Sequence, residues 1–238
     1  MTIINHTYGF VFVHVPKCAG TTVATALSRA SAYCDIEIGA TPLGQALATH
    51  YSARHGMGKH ATAGQIRNVL GQATWMRLFS FAFVRDPMAR TQSTYRFLKH
   101  KFRNWQGSEI MDGFATFEEF VRSEFFHTPG PDNILAPQVR WIGRPPLVDF
   151  VGRVETLSED FATVLECVGI PPAKRRAMMR LGKRNRTDAW TDDEAASPDL
   201  EALILDRYRE DYVFIEALAA PQARERRPGA LKAAAPPA

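Results

Sequence analysis

The stretch that decides the fold is FVFVHVPKCAGTTVATAL, residues 10–27. Its first six residues are apolar on both alternating faces except for His14, a pattern typical of a strand buried on both sides of a helix-covered parallel sheet. Pro16 ends this strand, a loop of small residues follows, and the segment from Thr22 to Leu27 is predicted to be helical. The sequence therefore begins with a strand, a loop and a helix.

A second strand of the same kind, LFSFAFV at residues 78–84, leads into Arg85-Asp86-Pro87, where Asp86 is expected to cap a helix that begins at Pro87. A third strand is predicted at 147–152. Further helices are predicted near 63–70, at 114–126, from Ser158 and from Ser197-Pro198. Apart from the helix near 63–70, residues 35–75 are predicted to be irregular. This alternation predicts one three-layer α/β domain over residues 1–218, with a central parallel sheet flanked by helices.

Composition excludes several classes of protein. The chain has 238 residues, 45% hydrophobic and 23% charged, which argues against collagen, coiled coil and wholesale disorder. Its three cysteines form no CxxC pair, so neither a disulfide framework nor a zinc site is indicated. No apolar run approaches the roughly 18 residues of a membrane span, and the N-terminus lacks signal-peptide features. We therefore expect a cytoplasmic protein without a membrane span.

The positive charge is concentrated at the C-terminus. The chain carries a net charge of +4, of which residues 219–238 hold four cations against one acid. The rest of the chain is nearly neutral, so no nucleic-acid partner is expected. The tail is rich in Ala and Pro and is predicted to be disordered.

The loop after the first strand has the composition of an anion site. Small residues let the main chain approach an anion, and the following helix N-terminus contributes about half a positive charge. Lys17 adds a full charge, and Thr21 and Thr22 add hydroxyl donors. Since Lys17 precedes Gly20, the loop is not a Walker A motif, which places Lys after its last Gly. The alternative is a tight turn with an exposed lysine.

A second candidate site follows the second strand. Arg85 stands at its carboxyl end, and Ser93 lies about two helical turns further on. In open α/β sheets ligands bind outside the carboxyl ends of the strands, so both side chains could bind a second phosphate. The alternative is an Arg–Asp surface pair beside a helix cap.

The two motifs in this order, PKxxGTT and VRDPxxRxxSxY, resemble the sulfotransferase family, and the resemblance covers about residues 8–215. They are similar to its 5′-phosphosulfate loop and its 3′-phosphate motif. The segments around His60, 148–155 and 185–187 resemble the branch that contains Golgi carbohydrate sulfotransferases and bacterial relatives. The chain departs from the family at Cys18 and Ala19, where Thr and Gly are common.

The resemblance implies a P-loop-like fold and sulfuryl transfer from 3′-phosphoadenosine 5′-phosphosulfate to a hydroxyl or amine, with no metal expected. Lys17 would neutralise charge on the leaving oxygen. The implied nucleotide-binding residues are Lys17, Cys18, Ala19, Gly20, Thr21, Thr22, Arg85 and Ser93, with a late loop contributing Arg184, Asn185 and Thr187. The acceptor would be a small molecule or a carbohydrate, and residues 101–145, which mix cations and aromatics, are the candidate acceptor region.

A general base would assist attack by an acceptor hydroxyl, and His is the usual residue near neutral pH. We expect His60, which follows the flexible Gly56-Met57-Gly58-Lys59, to be this base, with Glu155 as the alternative. His14 is expected to be a core residue. Two other functions stay open at this point: a P-loop nucleotide kinase or NTPase, and a non-catalytic module that binds nucleotides or polyanions.

Overall fold

The computed structural model describes residues 1–32, 34–39, 41–101, 107–128, 133–180 and 197–219. These residues divide into two compact units, and each is described by itself. The first unit comprises Met1–Val84 and the segment that begins at Gln138, and the second comprises Arg85–Pro137 and the C-terminal helices. The predicted single domain over 1–218 stays a prediction. Of the predicted tail, only Ala219 lies within the described residues.

The first unit contains a five-stranded mixed sheet in the order β3-β1-β2-β4-β5. The strands are β1 (Thr2–Asn5), β2 (Phe10–Val13), β3 (Ile36–Ile38), β4 (Phe79–Val84) and β5 (Phe150–Arg153). Strands β2, β4 and β5 are parallel, whereas β1 pairs antiparallel with both β2 and β3. The predicted parallel sheet flanked by helices is therefore confirmed for β2, β4 and β5, but the antiparallel β1 and β3 make the whole sheet mixed. A short turn through Gly9 joins β1 to β2, and so short a connection permits only antiparallel pairing.

The described helices, in chain order, are α1 (Gly20–Leu27), α2 (Pro42–His55), α3 (Ala63–Leu70), α4 (Gln72–Trp75), α5 (Pro87–Arg96), α6 (Ser108–Asp112), α7 (Phe117–Arg122), α8 (Glu124–His127), α9 (Val139–Ile142), α10 (Leu157–Cys167), α11 (Pro172–Met178), α12 (Pro198–Arg207) and α13 (Arg209–Ala219). Short 3-10 turns cover Ser28–Ala30 and Asn133–Leu135, and a π-helical turn covers Phe97–Lys101. Among the helices of the described residues, none is long and apolar enough to cross a membrane.

The core of the first unit explains the α/β architecture. Every residue of β2 and β4 is buried, so both faces of these strands are covered, as their continuous apolar sequence predicted. On one face, Phe12 packs against Phe81 with ring centroids 5.3 Å apart. Residues of α1 and α10 complete the same cluster, including Leu27 and Phe161.

Two segments of the second unit that were each predicted as one helix form two helices. The helix predicted over 114–126 is divided into α7 and α8 because Ser123 leaves the helix and its hydroxyl accepts a hydrogen bond from the Phe126 amide, which begins a new helix. The single C-terminal helix is likewise divided at Tyr208 into α12 and α13. The aromatic residues of α7 and α8 pack with Tyr95 and Tyr208 in the core of this unit.

Candidate active site

The loop between β2 and α1 has a conformation suited to binding an anion. Two of its non-glycine residues, Lys17 (φ 65°) and Ala19 (φ 54°), adopt the left-handed conformation. Single left-handed residues cost roughly 1–2 kcal/mol in L-amino acids and cluster at ligand sites, and alternation of this kind turns successive N–H groups toward one concave side. Ala19 thus adopts a backbone conformation that glycine would adopt without strain.

Helix α1 begins directly after this loop. Its N-cap is Ala19, which offers no side-chain cap to the amide groups of the first turn. The Thr21 side chain is exposed and that of Thr22 is half-buried. The first turn of α1 therefore presents main-chain and hydroxyl donors together with the positive end of the helix dipole. The half-buried Lys17 is two residues before the N-cap.

The Cys18 side chain points away from this surface. It is 1% exposed, and its thiol donates to Oε1 of Gln138 at 3.1 Å and lies 3.5 Å from the Pro16 carbonyl oxygen. The loop therefore offers the main chain of Cys18, rather than its side chain, to a ligand. Where a threonine would have a hydroxyl, Cys18 instead makes a buried contact to Gln138, the N-cap of α9.

His60 lies beside the loop in the same unit. Its Nδ1 is 3.0 Å from the main-chain oxygen of His14, and the two imidazole rings are 4.3 Å apart. A carbonyl oxygen only accepts hydrogen bonds, so Nδ1 of His60 carries a proton, and in the neutral form of the ring the lone pair is on Nε2. The main-chain oxygen of His60 in turn accepts a hydrogen bond from Nε1 of Trp141 at 3.1 Å.

His14 links His60 to the loop. Its ring contacts Gly20, the first residue of α1, and its Nδ1 is hydrogen-bonded to the main-chain nitrogen of Met1. Burial lowers the pKa of His14 well below its usual value, and the nearby positive charges, Lys59 and Lys17 among them, lower it further. A neutral histidine in the core agrees with the sequence prediction.

Glu155, the alternative base, has a different environment. It follows β5, and its Oε2 lies 3.6 Å from Nε of Arg153, with both side chains 34% exposed. The carboxylate thus forms an ion pair with its neighbour. His60 is instead oriented by a main-chain hydrogen bond that fixes its tautomer, which makes it the better candidate for accepting a proton.

The second predicted phosphate site lies in the second unit. Arg85 directly follows β4, Ser93 lies in the second turn of α5, and both are half-buried. Asp86 caps α5 by accepting from the Ala89 amide at 2.8 Å, and Pro87 is its first residue, both as predicted. Burial raises the pKa of Tyr212 on α13 to about 12, and the nearby Asp86 carboxylate contributes to the increase. Tyr212 of α13 therefore lies close to the start of α5.

Some of the predicted site residues belong to the core instead, and others lie outside the described residues. The late-loop residues Arg184, Asn185 and Thr187 lie outside the described residues. Within the candidate acceptor region, Phe126 and Trp141 are buried, so they belong to the core. Across the described part of the chain, no group of three or more His, Cys, Asp or Glu side chains is arranged to hold a metal ion. Activity without a metal stays a prediction.

Sequence reasoning missed the role of α9. Gln138 and Trp141 contact Cys18 and His60, which are 120 and 81 residues away along the chain. No local spacing signals such contacts. The sequence shows only a glutamine and a tryptophan three residues apart in the segment Gln138–Ile142.

Comparisons with known proteins show which family the chain is similar to. The model of the sulfotransferase family matches residues 1–215. An uncharacterized protein of Archaeoglobus fulgidus is 32% identical over 111 residues, which make up 46% of this chain and 82% of that relative. Carbohydrate sulfotransferase 14 of Mus musculus is 35% identical over 114 residues, 41% of this chain but 30% of the mouse protein. No solved structure gives a significant match.

Proposed function

Because the chain belongs to the sulfotransferase family, we propose that it transfers a sulfuryl group from 3′-phosphoadenosine 5′-phosphosulfate to a hydroxyl or amine acceptor. The observation that carries this proposal is the loop in which Lys17 and Ala19 are left-handed and α1 begins without a side-chain cap. Such a loop fits a 5′-phosphate with a leaving oxygen beside it. The P-loop-like character of the fold is part of the proposal.

On the donor side, the main chain of residues 18–22 and the hydroxyls of Thr21 and Thr22 would bind the 5′-phosphate. Lys17 would neutralise the negative charge that grows on the leaving phosphate oxygen as the sulfuryl group departs. Arg85 and Ser93 would bind the 3′-phosphate, and Arg184, Asn185 and Thr187 would contribute to nucleotide binding. The donor supplies the sulfuryl group, and catalysis rests on positioning and charge stabilisation, as in phosphoryl transfer.

On the acceptor side, His60 would act as the general base. The acceptor oxygen would form the new S–O bond and release its proton to Nε2 of His60, while the S–O bond to the 5′-phosphate breaks with its electron pair on the phosphate oxygen. The hydrogen bond from Nδ1 of His60 to the His14 carbonyl supports this role, since it keeps the lone pair on Nε2. A general base typically increases the reaction rate by about 10²- to 10⁴-fold.

The match to carbohydrate sulfotransferase 14 supports a carbohydrate acceptor and the carbohydrate-type branch of the family. We therefore propose a sugar hydroxyl as the acceptor class.

Nucleotide selectivity tests the function. Isothermal titration calorimetry in EDTA should give much tighter binding of 3′,5′-ADP than of 5′-AMP. A nucleotide kinase or NTPase would instead prefer ATP with Mg²⁺ and turn it over. A non-catalytic module would bind 3′,5′-ADP or heparin-like polymers without moving sulfate from a labelled donor to any acceptor.

A further inference from the structure

Helix α9 contacts both functional parts of the first unit. Just before the helix, the Oε1 atom of Gln138 accepts a hydrogen bond from the Cys18 thiol of the donor loop at 3.1 Å. One turn later, the Trp141 indole donates to the main-chain oxygen of His60, also at 3.1 Å. Two residues three positions apart thus connect the loop that would bind the donor with the histidine that would accept a proton.

Both connections are buried. Gln138 is fully buried and Trp141 is 2% exposed. Buried polar groups are costly to leave unpaired, so hydrogen bonds of this kind hold their partners in place more firmly than surface contacts do. The two bonds differ in strength, since a thiol is a weak donor and an indole N–H a good one. The Trp141 bond is therefore the stronger constraint.

The position of His60 depends on two of its own atoms. Its ring is oriented through Nδ1 by the His14 carbonyl, and its main chain is fixed through its carbonyl oxygen by Trp141. Loss of the second bond leaves the tautomer intact but frees the main chain that carries the ring. Misplacement of a reacting group by about 1 Å reduces turnover by as much as about 10²-fold.

We propose that Gln138 and Trp141 are positioning residues, which hold the donor loop and His60 at a fixed separation. This rests on the proposed function, because it gives His60 the role of general base. Trp141 acts through the main chain of His60, and Gln138 acts through Cys18 on the donor loop. Neither residue needs to touch the substrate.

The substitution Trp141→Phe tests the first connection, because it keeps an aromatic ring and removes the N–H donor. We expect the turnover number to fall by between about 10- and 100-fold, with 3′,5′-ADP affinity unchanged. The matched control is Trp75→Phe, since Trp75 on α4 is also 2% exposed and loses the same volume. Equal turnover in the two variants would overturn the role of Trp141.

A double-mutant cycle with His60→Gln separates positioning from general damage. If Trp141 acts through His60, Trp141→Phe should reduce turnover much less in the His60→Gln background than in the wild-type background. Independent effects, in which the two losses multiply, would contradict the proposal.

Imidazole NMR provides a readout that does not depend on turnover. With ¹⁵N-labelled histidine, the His60 ring signals are assigned by their loss in His60→Gln. They should report the Nδ1–H tautomer and should shift or broaden in Trp141→Phe but not in Trp75→Phe. Unchanged His60 signals in Trp141→Phe would overturn the positioning role even if sulfuryl transfer itself proved wrong. If the His60 signals change in Trp141→Phe but the His60→Gln variant stays active, the contact between Trp141 and His60 is supported and the role of His60 as the base is rejected.

The second connection is tested by Gln138→Leu, which removes the acceptor of the Cys18 thiol. Calorimetry should show 3′,5′-ADP binding weakened several-fold, and Cys18→Ala should weaken it to a similar degree. The double variant should bind no more weakly than either single variant, because both changes remove one contact. Unaltered affinity in Gln138→Leu would exclude its role in holding the loop.

Discussion

The imidazole edge of His14 occupies the space that a side chain on Gly20 would need. A Cβ at position 20 would lie 1.7 Å from Nε2 and 1.8 Å from Cδ2 of His14. The glycine is therefore required by packing, since its φ does not lie in the left-handed region. Through this contact the start of α1 rests directly on the residue whose carbonyl orients His60.

The first prediction concerns this contact. Gly20→Ala should displace the His14 ring and destabilise the protein by about 1–3 kcal/mol, as overpacking of a core does. The control is Gly64→Ala on α3, where the nearest atoms to the added methyl are 3.9 Å away. That change should be neutral or should stabilise the helix by up to about 1 kcal/mol. Urea denaturation measures both, and equal stabilities would refute the packing argument.

The second prediction concerns stability at low pH. The pKa of His14 is lowered on folding, so below about pH 6.5 the unfolded chain binds a proton that the folded chain does not. The destabilisation due to His14 should therefore be absent well above this pH and grow as the pH falls below it. Burial is the main cause, and the other groups that face the ring, the Met1 amine, His60, Lys59 and Lys17, lower the pKa further in their charged forms.

Denaturation curves at pH 7.5 and 5 test this account. His14→Gln should reduce the loss of stability between the two pH values, by up to about 1.4 kcal/mol per pH unit. His50→Gln changes an exposed histidine on α2 and should keep the wild-type dependence. A His14→Gln protein with the wild-type pH dependence would show that His14 already titrates normally in the folded state.

The third prediction concerns the base. His60→Gln should lower turnover by about 10²- to 10⁴-fold while leaving 3′,5′-ADP affinity unchanged, because the glutamine keeps hydrogen bonding but not basicity. In the wild type, kcat/KM should rise with pH as the base loses its proton. Glu155→Gln is the comparison. Retained turnover in His60→Gln, together with loss in Glu155→Gln, would transfer the role to Glu155.

The fourth prediction concerns the 3′-phosphate. Arg85→Ala should remove most of the preference for 3′,5′-ADP over 5′-AMP, since a hydrogen bond to a charged group contributes about 1.5–3 kcal/mol. Ser93→Ala should have a smaller effect. The control is Arg77→Ala, an exposed arginine just before β4 that should leave both affinities unchanged. An Arg85→Ala protein that still prefers 3′,5′-ADP as strongly as the wild type would exclude this assignment.

The sequence predicted the parts of the fold that carry strong local signals. Strands β2 and β4 were found from continuous apolar runs, the start of α5 from Asp86 and Pro87, and a helix was expected near the position of α3. Strand β1 has only two apolar residues, Ile3 and Ile4, between two polar ones, and β3 has three residues, so neither shows the continuous apolar run that marked β2 and β4. Helix α2 was missed because Gly44 is its one buried residue, so it shows no apolar face.

The candidate site could be predicted only where it consists of a local sequence motif. The donor loop is a local motif, so Lys17, Gly20 and the threonines could be found from residue types and spacing. The positions of His14, Gln138 and Trp141 relative to it arise from tertiary packing, which spacing does not encode. The left-handed conformations of Lys17 and Ala19 could not be predicted either, because neither residue is a glycine.

The most direct test of the central claim follows labelled sulfate from 3′-phosphoadenosine 5′-phosphosulfate to a panel of sugar acceptors in EDTA, with wild type and Lys17→Ala at saturating donor. The account predicts that the wild type transfers the label, and that Lys17→Ala does so about 10²-fold more slowly because the leaving oxygen loses its neutralising charge. It would be contradicted if Lys17→Ala turned over like the wild type. It would also be contradicted if the wild type moved no label to any acceptor yet hydrolysed ATP with Mg²⁺.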